Sequence, residues 1–184
     1  MKIDPRNLIW VQQPKLYIAT EEKIILETEP FTDLHPSKPG AEAIQLSLEA
    51  KGSFCFSIRS DFEYQNPFDQ CGIVIYKGKK KKVVFGTEYR DTERTSLQCT
   101  VYHDEMGDRS GRDIGSAINR MYYRIWYRGG ELRIQYSFAG RRYGDMRKFW
   151  LAPDKDKLSI GIYACSPSNS TFDCIFREMI LEEG

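Results

Sequence analysis

Apolar and polar residues alternate with a period of two along most of the chain. In RMYYRIWYR, residues 120–128, Tyr123 and Ile125 fall on one side of an extended chain, whereas Arg124 and Trp126 fall on the other. SFCFSIRS and ELRIQYS show the same alternation, and a period of 3.6 is hard to find anywhere. The pattern is typical of β-strands with one buried face and predicts an all-β protein.

Turn residues divide this pattern into about eleven short strands. Besides SFCFSIRS, RMYYRIWYR and ELRIQYS, strands are expected near 16–19, 23–28, 43–50, 70–77, 82–90, 95–102, 158–165 and 172–181. Gly129 and Gly130 predict a hairpin, and PSKPG at 36–40 predicts a turn. So many strands need two antiparallel sheets packed face to face, so we expect a β-sandwich that forms one domain over residues 1–184.

The amino-acid composition limits the classes of partner and the cellular location that we expect. The formal net charge of +1 in 184 residues produces no general attraction to nucleic acid or to an anionic membrane, so we expect neither as a partner. No apolar run is long enough for a signal peptide or a membrane span, which favours the cytoplasm. The five cysteines are odd in number and scattered, and are expected to be buried free thiols.

One polar face of the predicted sandwich is the candidate binding site. If the strands between residues 70 and 165 share one sheet, their outward positions combine amides, a carboxylate, arginines and aromatic rings, which suit a sugar. Amide, carboxylate and guanidinium groups would bind hydroxyls, and Trp126, Tyr102 or Tyr163 would stack on the ring. An ordinary solvated sheet face is the alternative. The candidate ligand-binding residues are Gln70, Glu88, Gln98, Tyr102, Asp108, Arg124, Trp126 and Tyr163.

The segment FGTEYRDTE, residues 85–93, contains three carboxylates. Residues three apart in a strand lie on opposite faces about 10 Å apart, so Glu88 and Asp91 make a poor catalytic pair. Asp91 and Glu93 are expected in a turn beside Arg90 and Arg94. Glu88 is therefore the best catalytic candidate, and a second carboxylate would have to be Asp69 or Asp108.

Two charged segments are weaker candidates for a binding site than the polar sheet face. KGKKKK at 77–82 is expected to be a solvated hairpin tip rather than a phosphate site, because no aromatic residue lies among the lysines. HDEMGDRSGRDIG at 103–115 is expected to be a polar loop, and its spacing does not match a calcium-binding loop. The chain has two histidines, which leaves few residues that could ligate zinc or act as the histidine of a catalytic triad. No metal or cofactor is therefore expected.

Six short stretches in a fixed order carry a family resemblance: FDQCG, FGTEY, GDRS, YYRIW, QYSFAG and GIYACSP. They resemble the DUF1349 family, which is regulation-of-enolase-like and belongs to the concanavalin A-like lectin/glucanase superfamily. The resemblance covers about residues 54–180. It implies a jelly-roll sandwich with a groove on one sheet. The family-typical positions would be Asp69, Gln70, Gly72, Gly86, Glu88, Asp108, Ser110, Arg124, Ser166 and Pro167.

The chain departs from the family pattern at Val84, Arg109 and Ala139, where the family often has Lys, Trp and Asp. Three functions stay open. The preferred one is binding of a carbohydrate or sugar-like ligand without catalysis. The second is a glycoside hydrolase or lyase that uses Glu88 and another carboxylate. The third is a regulatory protein that docks a cytosolic metabolic enzyme through this face.

Overall fold

The computed structural model describes residues 1–35, 42–78, 81–153 and 157–184. These residues contain fourteen strands and one short 3-10 helix, Pro5–Asn7. In chain order the strands are β1 Ile9–Gln12, β2 Tyr17–Ala19, β3 Lys23–Glu27, β4 Ile44–Ala50, β5 Phe54–Phe62, β6 Gln70–Lys77, β7 Lys81–Tyr89, β8 Arg94–His103, β9 Met106–Gly115, β10 Arg120–Arg128, β11 Glu131–Ser137, β12 Gly144–Trp150, β13 Leu158–Cys165 and β14 Asp173–Glu183. Within the described ranges, no helix has the length and apolar character needed to cross a membrane.

The strands form two antiparallel sheets of seven strands each. The first sheet has the order β1-β4-β13-β6-β7-β8-β9, and the second has the order β12-β11-β10-β5-β14-β3-β2. The predicted two-sheet antiparallel sandwich is confirmed. The supposition that all strands from 70 to 165 share one sheet is wrong, because β10, β11 and β12 belong to the second sheet.

The inward positions of both sheets form one apolar core, as the alternation predicted. Phe85 of β7 and Tyr123 of β10 meet across the sandwich with ring centroids 5.0 Å apart in an edge-on arrangement. Both rings are buried, and each contributes roughly 1.5–3 kcal/mol from removal of apolar surface from water. The five cysteines are free and buried, as predicted.

Three strands were not predicted, and all three lie at sheet edges. β1 and β9 end the first sheet, and β12 ends the second. β9 corrects the prediction of a polar loop at HDEMGDRSGRDIG, since β8 and β9 form a hairpin in which His103 is paired with Met106. An edge strand that is solvated on both faces has no reason to alternate, so its sequence resembles a loop.

Two predicted turns lie at the limits of the described residues. The turn PSKPG at 36–40 lies outside them. In KGKKKK, Lys77 pairs with Lys81 across the β6–β7 hairpin, which agrees with a hairpin tip, and positions 79 and 80 are not described.

Candidate functional site

The outer face of the first sheet brings polar side chains together from three adjacent strands. Gln70 of β6 is paired with Glu88 of β7, and Gly86 of β7 is paired with Gln98 of β8. Because the side-chain period is two, these side chains share one face, and Gln98 lies diagonally beside Glu88. The sheet register therefore places two amides around one carboxylate.

A cavity of about 610 Å³ lies above this carboxylate. Gln70, Glu88, Gln98, Thr100 and Tyr102 belong to the strands beneath it. The remaining lining residues come from loops, from the neighbouring part of β7 and from β9: Asp33, Leu34, His35, Phe68, Val84, Gly107, Arg109, Pro167 and Ser168.

The loop wall is attached to the sheet by a small apolar cluster. Leu34 packs in this cluster with Val84 and Tyr163, outside the main core. The Lys82 ammonium donates a hydrogen bond to the Leu34 carbonyl oxygen and lies 5.0 Å from the centroid of the Tyr102 ring. Burial lowers the pKa of Lys82. These contacts fix the segment that carries Asp33 and His35 over the sheet.

Glu88 is the centre of the polar network, and it is only 6% exposed. Its Oε2 accepts a hydrogen bond from Gln98 Nε2 at 2.9 Å and a longer one from Gln70 Nε2 at 3.4 Å. On the other oxygen, Oε1 is 2.7 Å from a guanidinium nitrogen of Arg90 and 3.5 Å from one of Arg109. A carboxylate that is removed from water needs such partners to remain charged.

One acceptor at the base of the cavity lacks a donor, since Gln98 Oε1 accepts no hydrogen bond from any residue that the structure describes. Glu88 Oε1 has its ion pairs with Arg90 and Arg109 but no well-aligned hydrogen bond among these residues. The orientation of Gln98 follows from chemistry, because its NH₂ must face the acceptor-only carboxylate of Glu88 and its oxygen is then left free. An unsatisfied buried acceptor costs about 1–3 kcal/mol, so this surface is suited to a ligand that donates hydrogen bonds.

Tyr163 lies behind the site rather than at its surface. Its side chain is fully buried, and its hydroxyl group is 3.5 Å from Gln70 Oε1. Burial raises the pKa of Tyr163 well above its ordinary value. Tyr163 can position Gln70, but it cannot stack on a ligand as the sequence suggested.

The expected second carboxylates lie elsewhere. Asp69 is buried, and its Oδ2 accepts hydrogen bonds from the backbone of residues 65 and 66 and from the Ser170 hydroxyl, which fixes the loop before β6. Asp108 is on the opposite face of its strand from Arg109 and forms an ion pair with Arg147 of β12 at 2.6 Å. Asp33 lines the cavity instead, and no periodic pattern marks it in the sequence.

Arg124 and Trp126 are on the outer face of the second sheet. The Arg124 guanidinium carbon lies 3.7 Å from the centroid of the Tyr143 ring, and Trp126 Nε1 donates to Gln135 Oε1 at 3.1 Å. They are therefore separated from Glu88 by the thickness of the sandwich, roughly 10 Å between the sheets. Of the eight predicted site residues, four line the cavity, namely Gln70, Glu88, Gln98 and Tyr102. Tyr163, Asp108, Arg124 and Trp126 lie elsewhere, because parity shows which way a side chain points but not which sheet carries it or what covers it.

Among the described residues, no group of three or more His, Cys, Asp or Glu side chains is arranged to hold a metal ion. The hydrogen-bonding groups at the cavity are amides, hydroxyls, guanidiniums and carboxylates. Such a set recognises hydroxyl groups and anions.

A model of the family described as protein of unknown function (DUF1349) matches residues 10–184. The chain belongs to this family. The resemblance drawn from the order of six short motifs is confirmed. A relative from Saccharomyces cerevisiae named Regulation of enolase protein 1 is 23% identical over 176 residues, which cover 94% of this chain and 87% of the relative.

Two solved structures place this DUF1349 chain among β-sandwiches. The crystal structure of a functionally unknown protein from Saccharomyces cerevisiae superposes with a TM-score of 0.86 at 23% identity and covers 98% of each chain. The GH43 BlXynB protein from Bacillus licheniformis gives a TM-score of 0.71 at 15% identity, with 91% of this chain and 35% of that chain covered. At these identities the likeness shows the fold alone, and it agrees with the predicted two-sheet antiparallel β-sandwich.

Proposed function

We propose that the protein binds a carbohydrate or sugar-like metabolite in the cavity over the first sheet, without transforming it. The observation that carries this proposal is the buried acceptor Gln98 Oε1, which has no donor among the described residues and lies beside the Glu88 carboxylate. Hydroxyl groups on a sugar are donors that this amide oxygen and the carboxylate would accept. The cavity volume of about 610 Å³ is typical of sites for small molecules.

Phe68 supports this proposal as the aromatic element of the site. It lines the cavity, its side chain is 48% exposed, and its φ of 76° is unusual for a bulky residue. A strained backbone that presents an aromatic ring to a cavity is typical of a functional position, because the surrounding structure must maintain it. Phe68 takes the stacking role that the sequence assigned to Trp126, and Tyr102 is the second ring at the cavity.

Gln98→Met tests the proposal. Methionine keeps the length of the side chain but removes both the acceptor and the NH₂ group that donates to Glu88 Oε2. We therefore expect sugar affinity to fall at least about tenfold, as for the loss of one hydrogen bond of about 1.4 kcal/mol. Isothermal titration against a panel of mono- and disaccharides measures the dissociation constant.

Gln135→Met is the matched control. Gln135 is buried to a similar degree on the outer face of the second sheet, where it bonds Trp126 and Asp145. This control should cost at least as much stability and leave sugar affinity unchanged. If no sugar on the panel binds to the wild-type protein, or if both variants bind equally well, the proposal is wrong.

A protein partner is the second candidate function. The name of the yeast relative, Regulation of enolase protein 1, points to an effect on a metabolic enzyme. The outer face of the second sheet has residues that are enriched at interfaces: Trp126 is 41% exposed, and Arg124 and Arg128 have no ion pair among the described residues. We therefore propose that an acidic segment of the partner binds to this face of the second sheet and not to the face that carries Glu88. A cytoplasmic location, as such a partner would need, stays a prediction.

Trp126→Ala tests the partner proposal by biolayer interferometry against purified enolase. Truncation of a central aromatic residue costs about 2 kcal/mol, so affinity should fall about thirtyfold. Phe31→Ala, at an exposed aromatic position in the loop between β3 and β4, away from the outer face of the second sheet, should bind as the wild type does. Absence of enolase binding, or equal loss in both variants, would exclude this face.

A further inference from the structure

We propose that the ligand of the first-sheet cavity is acidic: a hydroxylated, sugar-like compound whose carboxylate or phosphate group binds Arg109. This inference rests on the proposed sugar-binding function and specifies the chemical class of ligand.

Arg109 presents unused donors to the cavity. It lies on the edge strand β9 beside Thr100, lines the cavity, and its side chain is 44% exposed. Its one ion pair among the described residues is with Glu88, and the 3.5 Å separation is too long for a strong hydrogen bond. A guanidinium has five N–H donors in a planar fork that matches a carboxylate or a phosphate. Most of these donors therefore remain available to an anion in the cavity.

The charges around the cavity favour an anion at Arg109 in particular. Among the described residues around the cavity, positively charged side chains outnumber carboxylates. The cations are Arg90, Arg109 and Lys82, and the carboxylates are Glu88 and Asp33. Arg90 lies close to Glu88, and Lys82 donates to the Leu34 carbonyl oxygen. Arg109 has only its long contact with Glu88, so it is the cation with the most donors left for a ligand.

Neither a simple anion nor a neutral sugar would satisfy the whole site. An inorganic anion would bind the guanidinium but leave the acceptor Gln98 Oε1 without a donor. A neutral sugar would supply a hydroxyl donor to this acceptor but leave most N–H donors of Arg109 without an anionic partner. A compound with hydroxyl groups and one acidic group meets both needs.

The test is isothermal titration with sets of ligands that share a skeleton: glucose, glucuronate and glucose 6-phosphate, and the corresponding galactose set. In at least one set, we expect the uronate or the phosphate to bind at least about tenfold more tightly than the neutral sugar. The two acidic arms of each set show whether a carboxylate or a phosphate is preferred. Added salt should weaken binding of the acids more than binding of the neutral sugar.

Arg109→Gln should remove the preference for the acid, so that in this variant the acidic ligands bind no more than about twofold more tightly than the neutral sugar. Arg112→Gln is the matched control, since Arg112 is on the same strand but bonds Tyr136 on the other side, and it should keep the preference.

If the neutral sugar of each set binds as tightly as its acids, the acidic class is wrong and sugar binding stands. If no member of either set binds, both proposals fall. Retention of the acid preference in Arg109→Gln would overturn the role of Arg109. Inorganic phosphate that binds as tightly as the sugar phosphates would show that the hydroxyl groups contribute nothing and would overturn the proposal.

Discussion

Gly86→Ala should destabilise the protein by about 3 kcal/mol, at the upper end of the range for overpacking in a well-packed interior. A Cβ atom at this position would overlap the carbonyl oxygen of Cys71 and lie 2.9 Å from the Cα atom of Gly72. The obstruction is backbone on the neighbouring strand β6, so no side-chain rotation relieves it. The two strands must separate, and the ladder of hydrogen bonds between them must weaken.

The same separation should damage the cavity. Gly86 is two residues from Glu88 on the same face of β7 and is paired with Gly72, two residues from Gln70. Displacement of β7 from β6 therefore moves the carboxylate away from its amide partner. Gly86→Ala should lower ligand affinity as well as stability.

Thermal unfolding measures the first effect, with an expected decrease of about 6–12 °C in Tm for a chain of this size. Gly115→Ala is the control, because a Cβ atom at Gly115 at the end of β9 meets nothing within 4 Å. It should unfold within about 2 °C of the wild type. A Gly86→Ala protein as stable as this control would show that β6 and β7 are not as close as the structure has them.

The interior of the sandwich could be predicted from the sequence, whereas its edges could not. Strands such as β10 have one face in the core, so burial imposes the alternation that is visible in RMYYRIWYR. β9 has a single buried residue, Ile114, and its other positions meet solvent in full or in part. Nothing then requires apolar residues at every second position, so the sequence of this strand resembles that of a polar loop.

The candidate site could be predicted only in part, for two physical reasons. Parity identified the direction of Glu88, Gln70 and Gln98, but sheet membership is a long-range property, so Arg124 and Trp126 were assigned to the wrong face. The cavity wall comes from loops that carry Asp33, and loops have no period. Arg109 was noted as a departure from the family pattern. Recognition of β9 as a strand would have placed it opposite Thr100 and hence beside Tyr102 and Gln98.

Glu88→Gln should lower the free energy of unfolding by about 2 kcal/mol. Removal of one member of a buried ion pair costs roughly 3–5 kcal/mol, and the cost here is reduced because Arg90 and Arg109 are 31% and 44% exposed and can be solvated. The new amide must also turn its NH₂ group either toward the NH₂ groups of Gln70 and Gln98 or toward the guanidinium groups of the arginines, so a donor faces a donor in either orientation.

Glu93→Gln is the control for the loss of one negative charge in the same segment. Glu93 lies in the turn after β7, where Asp91 forms its ion pair with Arg94 at 2.7 Å, and the Glu93 side chain is exposed. Its replacement should change stability by less than about 0.5 kcal/mol. The three carboxylates of FGTEYRDTE thus separate into one buried charge and two solvated ones, and the two glutamate variants measure that difference directly.

A double variant decides whether Glu88 acts through its arginines. If the destabilisation in Glu88→Gln comes from an unneutralised guanidinium, then Arg109→Gln in the same chain should restore part of the lost stability. The two substitutions should then couple by about 0.5–1 kcal/mol in urea unfolding. Additive effects would assign the cost to Arg90 and the amides rather than to Arg109. In either case Glu88→Gln should weaken binding of the sugar-like ligand about tenfold or more, because a charged acceptor is replaced by a neutral group that cannot satisfy the same hydroxyl and both arginines. If the Glu88→Gln variant binds the ligand within twofold of the wild type, neither Glu88 nor the cavity around it takes part in the function of the protein.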